Sequence, residues 1–348
     1  MLHLRVPSQE TERILQQLSA ASALPEGARV QTDSTDSAFR FIPIIGDIPP
    51  SLGEQYPIVD ITVDSPTART YRDHLDTLLP SDVVTSIEWP TRHEFVGDLI
   101  LIKLDDTQRQ HGETIGEALL LQHSRTRAIF ENLGVAGTFR VRNLRLLAVR
   151  DGHEPTTRTQ ILENGHNLWT DPSTVYYSSR LSHEREGTLA CAMKLRDELG
   201  RPLSICDPYA GVGPSLLPLI SEPELVGELF AGDLNPAAVE FLRENIHHPT
   251  ATIECTDAQQ LKDRPEMCGN FDLLLVNIPH DTLEHLPNLL PLVRATGIIR
   301  GWAIIEQSDF EESEQRLRDI LGSDAVLEIR RSYSASANLC RFEASKAP

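Results

Sequence analysis

The rhythm of the second half constrains this chain most. From about residue 166, short apolar runs at 203–206, 225–232, 252–255, 271–276, 298–305, 326–331 and 339–343 read as strands, with helical stretches between them. Regular alternation of strand and helix predicts a doubly wound parallel sheet of the α/β class. The first half lacks that rhythm. Residues 10–18 (Glu10 to Leu18) carry apolar positions at helical spacing, a turn is expected around Pro25-Glu26-Gly27, and 38–44 reads as a strand. Pro49-Pro50-Ser51-Leu52-Gly53 opens what reads as a linker over 49–64. Between 65 and 165 come a strand at 99–102, a helix near 113–133 and a long strand over 137–149. The expected domains are therefore 1–48, 65–165 and 166–348.

Charge narrows the function classes. The chain carries 51 acidic and 32 basic residues, a net charge of −19, and only Lys103, Lys194, Lys262 and Lys346 are lysines, leaving 28 arginines. An acidic, lysine-poor surface suits high salt, and a GC-rich genome writes Arg for Lys equally well. On either account the global charge opposes indiscriminate nucleic-acid binding, so such a role needs a local basic patch. Residues 140–158 supply one: Arg140, Arg142, Arg145, Arg150 and Arg158 stand against Asp151 and Glu154, a local +3. The same arginines also read as a solvated strand face.

No apolar run reaches the ~18 residues of a membrane helix, and Met1-Leu2-His3-Leu4-Arg5 lacks the apolar stretch of a signal peptide. The five cysteines have no Cys-x-x-Cys spacing, and the twelve histidines show no ligand pattern. A cytoplasmic protein with reduced thiols and no metal site is expected.

The strongest constellation starts at the first strand of the alternating half. Ile205-Cys206-Asp207-Pro208-Tyr209-Ala210-Gly211-Val212-Gly213-Pro214 ends a strand in an acid and runs through a glycine loop toward a helix. Gly211 and Gly213 permit positive φ and close backbone approach. Asp233 ends the next strand, before Asn235-Pro236, a cap-then-proline helix start; an acid there can bind both ribose hydroxyls. Asp257 closes the strand after that and can reach an adenine edge. The glycine spacing is not Gly-x-Gly-x-x-Gly, so a cofactor without a pyrophosphate is favoured, and S-adenosyl-L-methionine fits. A fourth apolar strand runs into Asn277-Ile278-Pro279, placing an amide at the same edge, although Asn and Pro also simply end strands.

With these motifs the chain resembles the archaeal and eukaryotic tRNA (guanine-37-N1)-methyltransferases and the related wybutosine-synthesis transferases. The resemblance extends to Val96-Gly97-Asp98, Phe139-Arg140-Val141-Arg142, Glu163-Asn164-Gly165, the run from Val175 to Arg185, and Ser332-Tyr333-Ser334. It implies a C-terminal Rossmann-like class I methyltransferase domain preceded by two smaller α+β domains, the middle one meeting tRNA. It also implies Glu184 as general base at N1 of the guanine, Arg140 at O6, and Asn277 orienting the base edge. Read from the residues alone, Glu184 is a solvated charge at a helix start and Arg140 a surface residue of a strand. The cofactor pocket expected on these grounds comprises Asp207, Gly211, Gly213, Asp233, Asp257, Asn277, Arg180 and Tyr177; Arg180 can instead bind phosphate, and Tyr177 can simply fill core. The expectation is a monomeric, S-adenosylmethionine-dependent enzyme acting on tRNA, with no membrane partner. The alternatives are a wybutosine-pathway relative transferring an aminocarboxypropyl group or methylating carbon 7, a non-catalytic tRNA-binding homologue, and a small-molecule methyltransferase.

Overall fold

The computed structural model describes residues 2–25, 30–33, 36–46, 48–61 and 70–346. Glu26 and Gly27 of the expected turn lie outside them. The chain divides into two units, Met1–Thr70 and Tyr71–Pro348.

In the first unit, β1 (Leu2–Pro7), β2 (Gln31–Thr32), β3 (Phe39–Pro43) and β4 (Ile58–Asp60) form an antiparallel sheet in the order β2-β3-β1-β4. Helix α1 (Thr11–Ala20) buries Ile14 and Leu18 against Leu4, Val6 and Ile42 of that sheet. The stretch read as a linker is structured in part. It holds α2 (Pro50–Gln55), which buries Leu52, and β4, which pairs with β1. Pro50 at the first helical position starts that helix rather than breaking the chain.

The second unit begins with α3 (Tyr71–Leu78) and α4 (Ser81–Ser86). A sheet of β5 (His93–Val96), β6 (Leu99–Ile102), β7 (Ala128–Ala136) and β8 (Val141–Val149) follows in sequential order, with β6 and β7 parallel. Helices α5 (Asp106–Arg109) and α6 (Gly112–Gln122) join β6 to β7, and α6 buries Ile115, Ala118 and Leu119 on the sheet. The helix expected over 113–133 therefore ends at Gln122 and its remainder is mostly strand. The strand expected over 137–149 begins at Val141, and Gly137–Arg140 form the hairpin turn before it. A second hairpin, β9 (Thr159–Glu163) and β10 (His166–Thr170), crosses residue 165. Its two turn residues, Asn164 and Gly165, have φ of 48° and 83°, as a two-residue Asn-Gly turn requires.

The last sheet contains β11 (Leu203–Asp207), β12 (Val226–Asp233), β13 (Ala251–Cys255), β14 (Phe271–Val276), β15 (Val293–Glu306), β16 (Val326–Ser332) and β17 (Ala337–Ser345), in the order β13-β12-β11-β14-β15-β17-β16. It is not wholly parallel: β17 runs antiparallel to both β15 and β16. Helices α7 (Ser182–Leu199), α8 (Leu216–Ser221), α9 (Pro236–Asn245), α10 (Thr282–Leu289) and α11 (Phe310–Leu321) cover it. Every residue of β14 is buried, as befits a central parallel strand, and Asp272 is its one charge. Asp272 accepts two hydrogen bonds from Arg201 at 2.8 Å and one from the Ser204 amide at 2.9 Å.

Candidate active site

The order of the sheet reverses between β11 and β14, and in open α/β sheets the crevice at the carboxyl ends of such strands binds ligands. Asp207 ends β11 there, fully buried. It accepts from the Tyr209 amide at 3.3 Å and from Asn277 Nδ2 at 3.1 Å. Burial, reinforced by the charge of Asp233, pushes its carboxyl up to about 7. Asp233 ends β12 and accepts from the amides of Gly211 and Asn235, each at 2.9 Å; burial raises its carboxyl too. Asn235 then caps α9, its Oδ1 accepting from the Ala237 amide at 3.0 Å ahead of Pro236.

The glycine loop curls between these acids. Gly211 has φ of 56° and Gly213 of 89°. A Cβ on Gly211 would meet open space, whereas one on Gly213 would come within 2.9–3.0 Å of Leu242 and Ile246. The loop thus needs glycine twice, once for a left-handed turn facing the crevice and once for close contact with α9. Helix α8 begins at Leu216, two residues beyond Pro214, the last residue of the motif. Asp257 lies past the end of β13 and caps a short helical turn through the Gln259 amide at 2.9 Å.

The donor set fits S-adenosylmethionine. Asp207 is buried and Asp233 half-buried, and both are bonded to neutral N–H donors, so the crevice favours a cationic ligand. The second, partly buried acid at a β-strand end is what a ribose requires.

Two further candidates converge on the loop after β14. Glu184, in the first turn of α7, is nearly buried. Its Oε1 accepts from Arg330 Nε at 2.7 Å and its Oε2 from Trp302 Nε1 at 3.3 Å. Burial alone would raise its carboxyl, but the Arg330 and Trp302 hydrogen bonds, with the charges of Arg330 and Arg341, hold it below the usual value. The Trp302 carbonyl accepts from Thr282 Oγ1, which also donates to Ile278 O at 2.7 Å, so Trp302 is tied to the Asn277-Ile278-Pro279 loop. Arg140 is exposed at the β7–β8 hairpin tip, with φ of 51°. Its charge reaches His280, whose imidazole is lowered by burial first and by Arg140 second. His280 packs edge-on to Tyr333 at 5.7 Å.

The remaining expected residues, Tyr177 and Arg180, lie in the segment that leads into α7. Tyr177 is buried in a cluster with Val212 of the glycine loop and Ala238, and its hydroxyl donates to Glu163. Glu163 in turn accepts from Arg185 Nη1 at 2.6 and 2.7 Å, which anchors the start of α7. Arg180 is exposed in the short helical turn Ser179–Leu181 that leads into α7. Most of the basic stretch is engaged by partners within the protein, although Arg145 and Arg158 stay exposed. Arg142 bonds Glu94, Arg145 reaches Glu131 at 2.5 Å, Arg150 donates to the carbonyls of Leu120, His123 and Thr126, and Arg158 pairs with Glu244. Arg140 is exposed too.

Residues that the sequence reading missed are Trp302 and Arg330 around Glu184, and the Tyr209–His285 pair at 2.6 Å, which joins the glycine loop to α10. Tyr209 lies within the 205–214 run, where nothing local marks it, because its partner His285 is 76 residues away. Among the described residues no group of His, Cys, Asp and Glu has metal-site geometry, and no helix is long and apolar enough to cross a membrane.

Residues 159–326 match the TRM5/TYW2 methyltransferase domain, and residues 71–153 match the TYW2 N-terminal domain. The chain carries a TRM5/TYW2 methyltransferase domain. Among curated relatives, the tRNA (guanine(37)-N(1))-methyltransferase Trm5b of Pyrococcus abyssi is 25% identical over 329 residues, covering 93% of this chain and 91% of the relative. The tRNA (guanine(37)-N(1))-methyltransferase of Dictyostelium discoideum is 30% identical over 223 residues, covering 62% of this chain but 45% of the relative. Among solved structures, Pyrococcus abyssi Trm5b superposes with a TM-score of 0.69 at 21% identity, covering 99% of each chain. The structure described as a complex of aTrm5 and tRNALeu gives 0.68 at 21%, covering 99% of this chain and 100% of that one. Pyrococcus horikoshii TYW2 in complex with MeSAdo gives 0.60 at 19%, covering 79% of this chain and 97% of that one. The fold is the Rossmann-like fold of TRM5/TYW2 methyltransferases, and S-adenosylmethionine is the family's cofactor.

Proposed function

We propose that this TRM5/TYW2 chain transfers a methyl group from S-adenosylmethionine to N1 of guanine-37 in tRNA. What supports the reading is that Glu184 is tied through Trp302 to the loop that begins at Asn277, and that the charge of Arg140 acts on His280 of the same loop. When bound, S-adenosylmethionine supplies the electrophilic methyl group.

The chain's own residues then have defined work. Guanine N1 holds a proton at neutral pH, so its lone pair is unavailable until a base removes it. Glu184 is a carboxylate at neutral pH and takes that proton. Negative charge then gathers on O6, where the Arg140 guanidinium offsets it. Asn277 presents an amide to the base edge while its Nδ2 stays on Asp207. Asp207, Asp233, Asp257 and the Gly211 and Gly213 loop hold the cofactor, with Tyr177 behind that loop and Arg180 at its rim. General-base proton transfer of this kind contributes ~10²–10⁴-fold in rate.

One observation favours a second reading. The match of 71–153 to a TYW2 N-terminal domain fits a wybutosine-pathway transferase that moves an aminocarboxypropyl group. Against it, the TYW2 structure covers 79% of this chain and Trm5b 99%, and the difference is about the size of the Met1–Thr70 unit. The deciding experiment incubates the protein with tRNA and cofactor carrying label in either group, then maps the modified nucleoside by mass spectrometry. Methyl label in 1-methylguanosine at position 37 supports the first reading. Aminocarboxypropyl label, or no label in tRNA, overturns it.

A further inference from the structure

Arg330 occupies the one place where the outer strand pairing slips. Along β16, Ile329 pairs with Cys340 and Arg331 with Leu339 of β17, which leaves Arg330 as the extra residue of a β-bulge. Bulges turn a side chain out of its strand's alternation and recur beside active sites. Here the turned side chain is directed at Glu184, 146 positions earlier in the chain.

The contact is specific. Arg330 Nε donates to Glu184 Oε1 at 2.7 Å, and its Nη1 donates to Glu328 at 3.3 Å. Trp302 holds the other carboxylate oxygen. Glu184 is thus fixed from two sides, and its rotation about the carboxylate axis is removed. We propose that Arg330 is the positioning residue for Glu184, turned out of β16 by the bulge to hold one oxygen of its carboxylate while Trp302 holds the other. The inference rests on the reading of Glu184 as the base.

The charges around Glu184 come from three elements. From β16 come Arg330 and Glu328, and from β17 Arg341, which bonds Glu328 at 2.5 Å and adds a favourable charge to Glu184. On α7 itself, Arg185 is engaged by Glu163, and His183 faces Glu186. Trp302, from β15, is neutral. Arg330 is therefore the cation with direct contact, and removing it leaves burial to raise the carboxyl.

The test is the pH dependence of single-turnover methyl transfer to tRNA in the full chain. Wild type loses rate on the acid side as Glu184 protonates. In Arg330→Gln that limb moves to higher pH; a displacement of one pH unit makes the variant about tenfold slower at any pH along the limb. Arg330→Lys restores the charge and brings the limb back toward wild type. Glu328→Gln, which leaves Arg330 and Arg341 wholly to Glu184, moves it to lower pH and carries the test should Arg330→Gln fail to fold. A limb that stays in place while the whole profile drops by one factor means Arg330 is only structural and overturns the proposal. Glu184→Gln run in parallel separates the two claims. If it retains wild-type rate, the reading of Glu184 fails. If it is inactive while the Arg330→Gln limb is unmoved, only the role of Arg330 fails.

Discussion

Asn277 donates from Nδ2 to Oδ2 of Asp207 across 3.1 Å, joining the ends of two adjacent parallel strands, β14 and β11. The bond links the loop after β14, to which the proposal assigns the substrate, to the acid at the end of β11, to which it assigns the cofactor. The bond also orients the Asn277 amide: while the buried carboxyl is ionised it only accepts, so Nδ2 faces it and Oδ1 is left for another donor.

The burial of Asp207 makes cofactor binding pH-dependent. Its carboxyl, raised to about 7, is partly protonated near neutrality, and a cationic ligand favours the ionised form. Affinity for S-adenosylmethionine should weaken about tenfold per pH unit as pH falls below about 7 and level off above it. The stability of the free protein runs the other way. A carboxyl raised in the folded state binds protons more tightly than in the unfolded chain, so stability falls as pH rises from its unfolded value, roughly 4, to about 7. Calorimetric titrations at pH 6, 7 and 8 check the first statement. A flat affinity, or one that Asp207→Asn leaves equally pH-dependent, removes Asp207 from the cause.

Asp233 holds the glycine loop through the Gly211 amide, and the proposal assigns it the ribose. Asp233→Ala should cost S-adenosylmethionine affinity by about one to two orders of magnitude, the loss of a charged hydrogen-bond acceptor. Unchanged binding by equilibrium dialysis would contradict the ribose assignment.

Glu184→Gln keeps the hydrogen-bonding shape but cannot take a proton. Methyl transfer should fall ~10²–10⁴-fold while cofactor affinity stays near wild type. Single-turnover rates beside dialysis measure both, and equal rates in the two proteins would exclude the base role.

Arg140 offers a spectroscopic check. Its charge helps hold the His280 imidazole below its ordinary value, so Arg140→Gly should raise the His280 midpoint in an NMR titration. The same change relieves a left-handed residue, which favours stability by about 1 kcal/mol. Transfer to guanine should nevertheless fall. A His280 midpoint that does not move would separate the hairpin tip from the Asn277 loop.

The sequence made the parallel core legible because its signals are local. The run 271–276 is apolar at every position but Asp272, and Asn235-Pro236 carries its own cap. The turn of β17 against the parallel strands was not legible, because strand direction depends on which edge a hairpin joins. The helix expected over 113–133 ran too far because the apolar residues of α6 and of β7 follow one another closely, and only packing divides them. The arginines of 140–158 read as a free basic face because Glu94, Glu131 and Glu244, which engage three of them, lie far away in the chain. Around Glu184 the clamp was hidden for the same reason: a bulge is a property of two strands, and neither one announces it.

Asp272 tests the framework beneath the site. It is the single charge in β14, fully buried, and Arg201, the Ser204 amide and Arg294 at 3.2 Å all converge on it. Burial alone would raise its carboxyl, yet the Arg201 and Ser204 hydrogen bonds and both arginine charges hold it low. Its contribution to stability is accordingly present above the unfolded carboxyl range and is lost as pH falls through the folded value. Replacing one partner of a buried pair leaves the other uncompensated, at a cost of about 3–5 kcal/mol, although Arg201 is partly exposed and recovers some solvation. Asp272→Ala should therefore lower the denaturation midpoint at pH 7 and flatten its acid dependence, with little effect on cofactor affinity in the fraction that remains folded. Chemical denaturation at pH 4 and pH 7 measures both, and a variant as stable as wild type at pH 7 would show that the strand register does not depend on this ion pair.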